Sequence, residues 1–213
     1  MGLWSEQILP RCTDVVLGPG DVTRHRRATV AGLTGTVVEL GFASGMNLPW
    51  YPPEVVKVLA VEPSMVARKR AAQRINDSPI DVVFVGLDGQ QLPIVDASVD
   101  SALSTFTLCT IPDVDLALHE LLRVLKPGGS LHFVEHGLSR EPSIATWQHR
   151  LNPIEQRLAG GCNLDREIDS IITASGFDIT ELSNGQLKGP RLAAPWGYLY
   201  QGVAVKPTSR AKA

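Results

Sequence analysis

The stretch from Thr36 to Pro52, TVVELGFASGMNLPWYP, places Glu39, Gly41, Gly45 and Asn47 close together, with the small Ala43 and Ser44 between them. Glycines after an apolar run let the backbone turn tightly and approach a ligand that larger side chains would fend off. Three later apolar runs also end on chemistry. Glu62 follows VVKVLAV, Asp88 follows DVVFVGL, and Glu135-His136 close SLHFVEH, while Ser104-Thr105 end a fourth run, SVDSALST. A rim that gathers the carboxylates of Glu39, Glu62 and Asp88 offers hydrogen-bond acceptors. It suits a ligand with hydroxyls and an amine better than one with phosphates.

Known nucleotide loops make other demands. A P-loop needs lysine directly after its second glycine, and here Met46 follows Gly45. The dinucleotide fingerprint would put glycine at 41, 43 and 46, where this chain has Gly41, Ala43 and Met46. A nucleophile elbow would need serine at 43, one place before Ser44. A P-loop NTPase and a serine hydrolase are therefore disfavoured. The alanine is tolerable at no cost if its φ is negative; a positive φ would cost about 1–2 kcal/mol.

These residues need a scaffold that brings strand ends together. Thr36–Gly41, Val55–Glu62, Asp81–Asp88, Ser98–Thr105 and Ser130–Gly137 are short Val, Ile, Leu and Phe-rich runs, as buried parallel strands should be. Helical patterns separate them. SMVARKRAAQRIN opens on the N-cap candidate Ser64, and DVDLALHELLRVL opens on Asp113 and stops at Pro127-Gly128-Gly129. The alternation predicts a parallel sheet with helices on both faces and a ligand site outside the carboxyl ends of the strands. Beyond Glu141 the pattern is less regular. A helix is expected near Asp165 to Ser175, followed by the strands FDITELS and YLYQGVAVK and a frayed tail.

Bulk properties agree with one soluble domain. The chain has 213 residues, 44% hydrophobic and 20% charged, and a net charge of −2, which gives no electrostatic pull toward nucleic acid. No leader or spanning run is legible, so a cytoplasmic protein is expected. Cys12, Cys109 and Cys162 are widely spaced and no histidine lies at zinc-site spacing, so reduced, packed thiols and no metal site are expected. There is no internal repeat.

In their order, VVELGFASG, LAVEPS, LDGQQLP, VDSALSTFTLC and LLRVLKPGGSLHFVEHG resemble the class I S-adenosylmethionine-dependent methyltransferases of the small-molecule, type-11 kind. FVEHG together with LNPIEQRLAGGCNLDRE is similar to a branch that includes thiol-methyltransferase-like proteins. The core resemblance covers Thr36 to Gly137 and a weaker one runs to about Val205. It implies an α/β fold with a Rossmann-like, seven-stranded, mostly parallel sheet, helices on both faces and the last strand antiparallel. It also implies one methyltransferase domain over 1–213: N-terminal helices forming part of a lid (1–35), a cofactor core (36–137), an acceptor-side segment with the last strands (138–205) and a flexible tail (206–213).

The implied cofactor is S-adenosylmethionine. By the resemblance, Glu39, Gly41, Ala43, Ser44 and Gly45 shape the turn around its methionine part, and Asn47 touches the same part. Glu62 accepts from the ribose hydroxyls, with Pro63 and Ser64 beside it, and Asp88 accepts from the adenine amine between Leu87 and Gly89. Ser104, Thr105 and Phe106 line the methionine amine and sulfonium. The implied partner is a small-molecule acceptor of thiol, hydroxyl or quinol type, with no nucleic acid and no integral membrane span. His136 is either a general base for an acceptor that must lose a proton or a hydrogen-bonded structural histidine. Cys109 is expected as a packed thiol near the pocket, and Trp147, His149, Asn152 and Cys162 as candidate walls of the acceptor site. A fold that binds the cofactor without turnover and an NAD-dependent oxidoreductase remain the alternatives.

Overall fold

Seven strands form one sheet in the computed structural model, which describes residues 20–208. Cys12, the first part of the expected lid and the end of the tail lie outside the described residues. The strands are β1 (Gly35–Leu40), β2 (Val55–Val61), β3 (Asp81–Gly86), β4 (Val99–Thr105), β5 (Leu125–His136), β6 (Asp178–Gln186) and β7 (Tyr198–Val205). Their spatial order is β3-β2-β1-β4-β5-β7-β6. β1 to β5 pair in parallel, and β7 inserts antiparallel to both β5 and β6. The expected sheet, including its antiparallel last strand, is the observed one.

Helices α1 (Asp21–Val30), α2 (Met65–Asn76), α3 (Val114–Val124), α4 (Pro142–Leu158) and α5 (Ile168–Ala174) connect or flank the strands. Side chains alternate across the sheet, so each central strand feeds two cores. Val38 and Ala102 pack in one cluster with Leu118 and Leu121 of α3. Their neighbours Val37 and Leu103 pack in the other, with Val30 of α1 and Ala71 of α2. The expected caps are in place: Ser64 Oγ accepts from the Ala67 amide at 3.2 Å and Asp113 Oδ1 from the Leu116 amide at 3.0 Å.

Two boundaries differ from the sequence reading. α3 ends at Val124 rather than at Pro127, and Leu125 already starts β5. Proline disfavours the helical region for the residue before it, here Lys126, and Gly128 takes a φ of +79°. The segment after Glu141, expected to be irregular, forms the 17-residue helix α4 with Pro153 inside it. Its buried residues are Gln148 and Asn152, so an apolar stripe does not betray it.

Strand order reverses between β1 and β4, and a crevice opens there beyond the strands' carboxyl ends. The loops that leave β1, β2, β3 and β4 reach it, and so does His136, the last residue of β5.

Candidate active site

A cavity of about 820 Å³ occupies this crevice. On the β2 and β3 side its wall carries Glu62, Pro63, Ser64, Leu87, Asp88 and Gly89. Gly41 and Ala43 of the loop after β1 form its floor, and Thr105, Phe106 and His136 stand on the β4 and β5 side. Five expected site residues, Glu39, Ser44, Gly45, Asn47 and Ser104, are buried behind this wall.

Backbone strain is concentrated in the loop after β1. Gly41, Ala43 and Gly45 have φ values of +66°, +49° and +75°. A Cβ on Gly41 would sit 2.0 Å from Thr107 Oγ1, so glycine is required there by space as well as by dihedral. Ala43 occupies the left-handed region despite its methyl group, the costly branch of the sequence expectation. Phe106, the other non-glycine residue on the cavity wall with positive φ, sits at +56°. Such outliers persist where surrounding contacts over-determine them.

Glu62 supplies one of those contacts. Its Oε2 accepts from the Ala43 amide at 2.8 Å and its Oε1 from the Ser64 amide at 2.7 Å. Burial raises its pKa, while the two amides and the Arg68 charge oppose the rise. Each carboxylate oxygen still has acceptor capacity for a further donor from the cavity. Asp88 is more open, and its Oδ1 accepts from the amide and the side chain of Gln90, both at 2.9 Å.

A polar network that sequence patterning did not find runs from the cavity wall, which Arg26 and Thr105 line, to the buried residues behind it. Arg26 of α1, buried, donates to Asn47 Oδ1 at 3.1 Å and Thr105 Oγ1 at 2.8 Å, and its guanidinium lies 5.2 Å over the Phe106 ring. Asn47 Nδ2 donates to Glu39 Oε1, and Tyr51 Oη to Glu39 Oε2, both at 2.7 Å. Glu39 therefore faces Asn47 and Tyr51 rather than the cavity. Burial dominates its electrostatics and lifts its pKa from 4.5 to about 7. Among the residues Arg24, Arg26 and Arg27, nothing in the sequence singles out the one that turns inward.

Glu135 was also missed as a positioning group. Fully buried, it accepts from Ser104 Oγ at 2.7 Å, the Thr107 amide at 3.0 Å and the Cys109 amide at 3.2 Å, which pins the loop after β4 against the end of β5. His136 follows, its ring 4.9 Å from that of Phe106. Cys109 and Cys162 complete this corner with sulfurs 3.6 Å apart. Of the expected acceptor-side walls, Cys162 lines the cavity; Trp147 is exposed, and His149 and Asn152 are turned to Asp165. Trp196 and Glu155 close that side instead, joined by a 2.9 Å hydrogen bond from Trp196 Nε1 to Glu155 Oε2.

Residues 38–133 match a family model described as a methyltransferase domain. Thiol S-methyltransferase TMT1B from Homo sapiens is 31% identical over 194 residues, covering 86% of this chain and 78% of that protein. The chain belongs to the S-adenosylmethionine-dependent methyltransferase family. TMT1B from Rattus norvegicus is 34% identical over 153 residues, 69% of this chain. The chain spans 62% of the length of that relative and 66% of TMT1A from Homo sapiens. In fold, an S-adenosylmethionine-dependent methyltransferase from Aquifex aeolicus superposes with a TM-score of 0.64 at 18% identity, covering 92% of this chain and 97% of its own.

The family's cofactor is S-adenosylmethionine, and the cavity suits it. Glu62 offers unspent acceptor sites for a pair of vicinal hydroxyls, and Gly41, where a Cβ would collide with Thr107, presents bare backbone to the cavity. Among the described residues no helix is long and apolar enough to cross a membrane.

Proposed function

We propose that this chain transfers the methyl group of S-adenosylmethionine to a small-molecule acceptor, with thiols preferred to hydroxyls or quinols. The observation that carries the reading is the division of one cavity by the strand order. Carboxylates at the ends of β2 and β3 lie on one side of β1, while an imidazole and two thiols lie on the other, beyond β4 and β5. Relatives named as thiol S-methyltransferases support the acceptor class. A relative named as a demethylmenaquinone methyltransferase, at 30% identity, is why quinol acceptors stay in the comparison.

When bound, the cofactor supplies a methyl group made electrophilic by its sulfonium. The chain's own contribution is to hold, orient and exclude water. Glu62 binds the ribose hydroxyls and Asp88 the adenine amine, with Pro63, Ser64, Leu87 and Gly89 shaping the surface around them. Gly41 and Ala43, backed by Ser44 and Gly45, bring backbone close to the methionine part. Glu39, Asn47 and Ser104 act from behind, setting the positions of the floor and of Thr105. Phe106 gives the acceptor end an apolar wall, and His136 beside it takes a proton from an acceptor that must lose one. A displacement of this kind gains most from alignment.

Calorimetric titration of the full chain with S-adenosylmethionine, S-adenosylhomocysteine and NAD tests the cofactor, and a panel of thiols, phenols and quinols tests the acceptor. Binding of the two adenosyl ligands, no binding of NAD, and methylated thiol as the main product are expected. Preferential NAD binding would overturn the reading. Tight cofactor binding with no turnover on any acceptor would make the protein a cofactor-binding fold instead.

A further inference from the structure

Cys109, His136 and Cys162 come from three separate segments: the loop after β4, the end of β5, and the turn after α4. Among the described residues they form a convergent metal-ligating group, with one ligand atom from each lying within 4.8 Å of the others. The sequence could not show this, because the residues are 27 and 26 positions apart, far from any zinc-motif spacing.

The geometry is close to that of a coordination shell. Zinc binds thiolate sulfur at about 2.3 Å and imidazole nitrogen at about 2.0–2.1 Å in a tetrahedron, so two ligated sulfurs are about 3.8 Å apart. Cys109 Sγ and Cys162 Sγ are 3.6 Å apart. The imidazole ligand atom lies within 4.8 Å of both sulfurs, against about 3.6 Å between a nitrogen and a sulfur on one tetrahedral zinc, so the ring closes by about 1.2 Å at most.

The surroundings hold the two cysteine segments in place. The Asn163 backbone amide donates to the Cys109 carbonyl at 2.7 Å and its side-chain amide donates to the same oxygen at 3.0 Å, which ties the two cysteine segments together. Asn152 Oδ1 accepts from the Leu164 amide at 2.8 Å, anchoring that turn to α4. Glu135 holds the Cys109 amide from the residue next to His136. Contacts of this sort fix the backbone from which the two thiols project. All three ligands also line the cavity, so an ion held between them borders the space that a cavity-bound molecule would fill. Three protein ligands with one open position is the pattern of zinc sites that act on a bound molecule, whereas purely structural sites are closed.

We propose that Cys109, His136 and Cys162 bind one thiophilic divalent cation, zinc by its coordination preference, and that its open position receives the acceptor thiol as a thiolate. Cation binding releases the two cysteine protons to solvent, leaving two thiolates, a neutral imidazole and a dication with no net charge. An acceptor thiol entering the fourth position loses its own proton to solvent and gives its sulfur to the ion. With the ion bound His136 is a ligand, and the ion takes over the activation of the acceptor that falls to the imidazole of the metal-free site. The acceptor half of this inference rests on the methyltransferase reading; the metal site itself does not.

Cobalt(II) titration of the metal-free full chain, kept reduced with a phosphine, tests the site. The expected result is one equivalent bound, with a thiolate-to-cobalt charge-transfer band and the visible bands of tetrahedral cobalt, all displaced by zinc. Cys109→Ser and Cys162→Ser should each abolish the charge-transfer band or weaken binding at least a hundredfold, and His136→Ala should weaken it at least tenfold. Circular dichroism of the variants checks that each has folded. No charge-transfer band in the wild-type chain, or binding unchanged in a folded Cys109→Ser, Cys162→Ser double variant, overturns the site. S-adenosylhomocysteine binding is measured on the same wild-type sample. Binding without the cobalt signature removes the metal site alone, and the signature without binding removes the methyltransferase reading alone. If cobalt binds but an added small thiol leaves its spectrum unchanged, the acceptor role falls while the site stands.

Discussion

Glu62 Oε2 accepts a 2.8 Å hydrogen bond from the amide of Ala43, so the end of β2 holds the strained loop that follows β1. The same carboxylate is the proposed ribose acceptor, and the two roles are inseparable in a deletion. Glu62→Ala should cost about 2–4 kcal/mol of S-adenosylmethionine affinity, from the loss of charge-assisted hydrogen bonds that are not fully additive. It should also lower apo stability by about 1–2 kcal/mol, because the Ala43 and Ser64 amides lose a charged acceptor. Titration calorimetry and urea unfolding on one preparation separate the terms. S-adenosylhomocysteine should weaken equally, since it shares the ribose, and unchanged affinity for both ligands would end the ribose assignment.

At Ala43 the positive φ gives a prediction of opposite sign. Ala43→Gly relieves about 1–2 kcal/mol of left-handed strain but adds freedom to the unfolded chain, for a net gain of about 0.5–1 kcal/mol in stability. Cofactor affinity should stay within a few-fold, because the Ala43 amide, and not its methyl, meets Glu62. Urea denaturation should show the gain. A tenfold rise in affinity would instead show that the methyl obstructs the cofactor.

The strands and the glycine loop were legible because burial on both faces leaves continuous apolar runs, and because acidic residues directly after such runs have few other uses. Helix α4 was not. It docks through Gln148, which accepts from the Ser139 amide and donates to the Gly137 and Pro195 carbonyls, and through Asn152. Amides on a helix carry no hydrophobic period. Arg26 and Glu135 were invisible as positioning groups for a related reason. Their partners Asn47, Thr105, Ser104, Thr107 and Cys109 are close only once the sheet is assembled.

Arg26 is the link between α1 and the cavity floor. It donates to both Asn47 and Thr105, and its charge helps hold down the pKa of Glu39. Arg26→Ala takes its donor from Asn47 Oδ1 and leaves Thr105 Oγ1 with only the Asn47 side-chain amide, and should destabilise by about 2–4 kcal/mol. Arg26→Lys should recover less than half of this, because an ammonium on a flexible stem cannot reproduce the planar guanidinium fork over Phe106. Thermal unfolding of the three proteins measures it, and full rescue by lysine would show that charge alone is required.

Glu39 should make stability depend on pH in a defined window. Burial lifts its pKa from 4.5 to about 7, with Tyr51, Asn47 and Arg26 pulling the other way. Between these values the folded state keeps a proton that the unfolded chain has released, so the contribution is fully present below about 4.5 and is lost as pH rises through about 7. The full swing is about 3 kcal/mol, at 1.36 kcal/mol per unit. Glu62, also raised, tilts the curve in the same direction, so the wild-type profile alone cannot isolate Glu39. Glu39→Gln can: its amide is able to offer its oxygen to the Asn47 Nδ2 donor and its NH2 to the Tyr51 hydroxyl oxygen, and it does not titrate. Urea unfolding at pH 5 and pH 8 should therefore show the variant gaining on the wild type by about 2–3 kcal/mol across that interval. A stability difference that stays constant from pH 5 to pH 8 would mean that Glu39 is ionised throughout, held so by the Arg26 charge and its two hydrogen bonds.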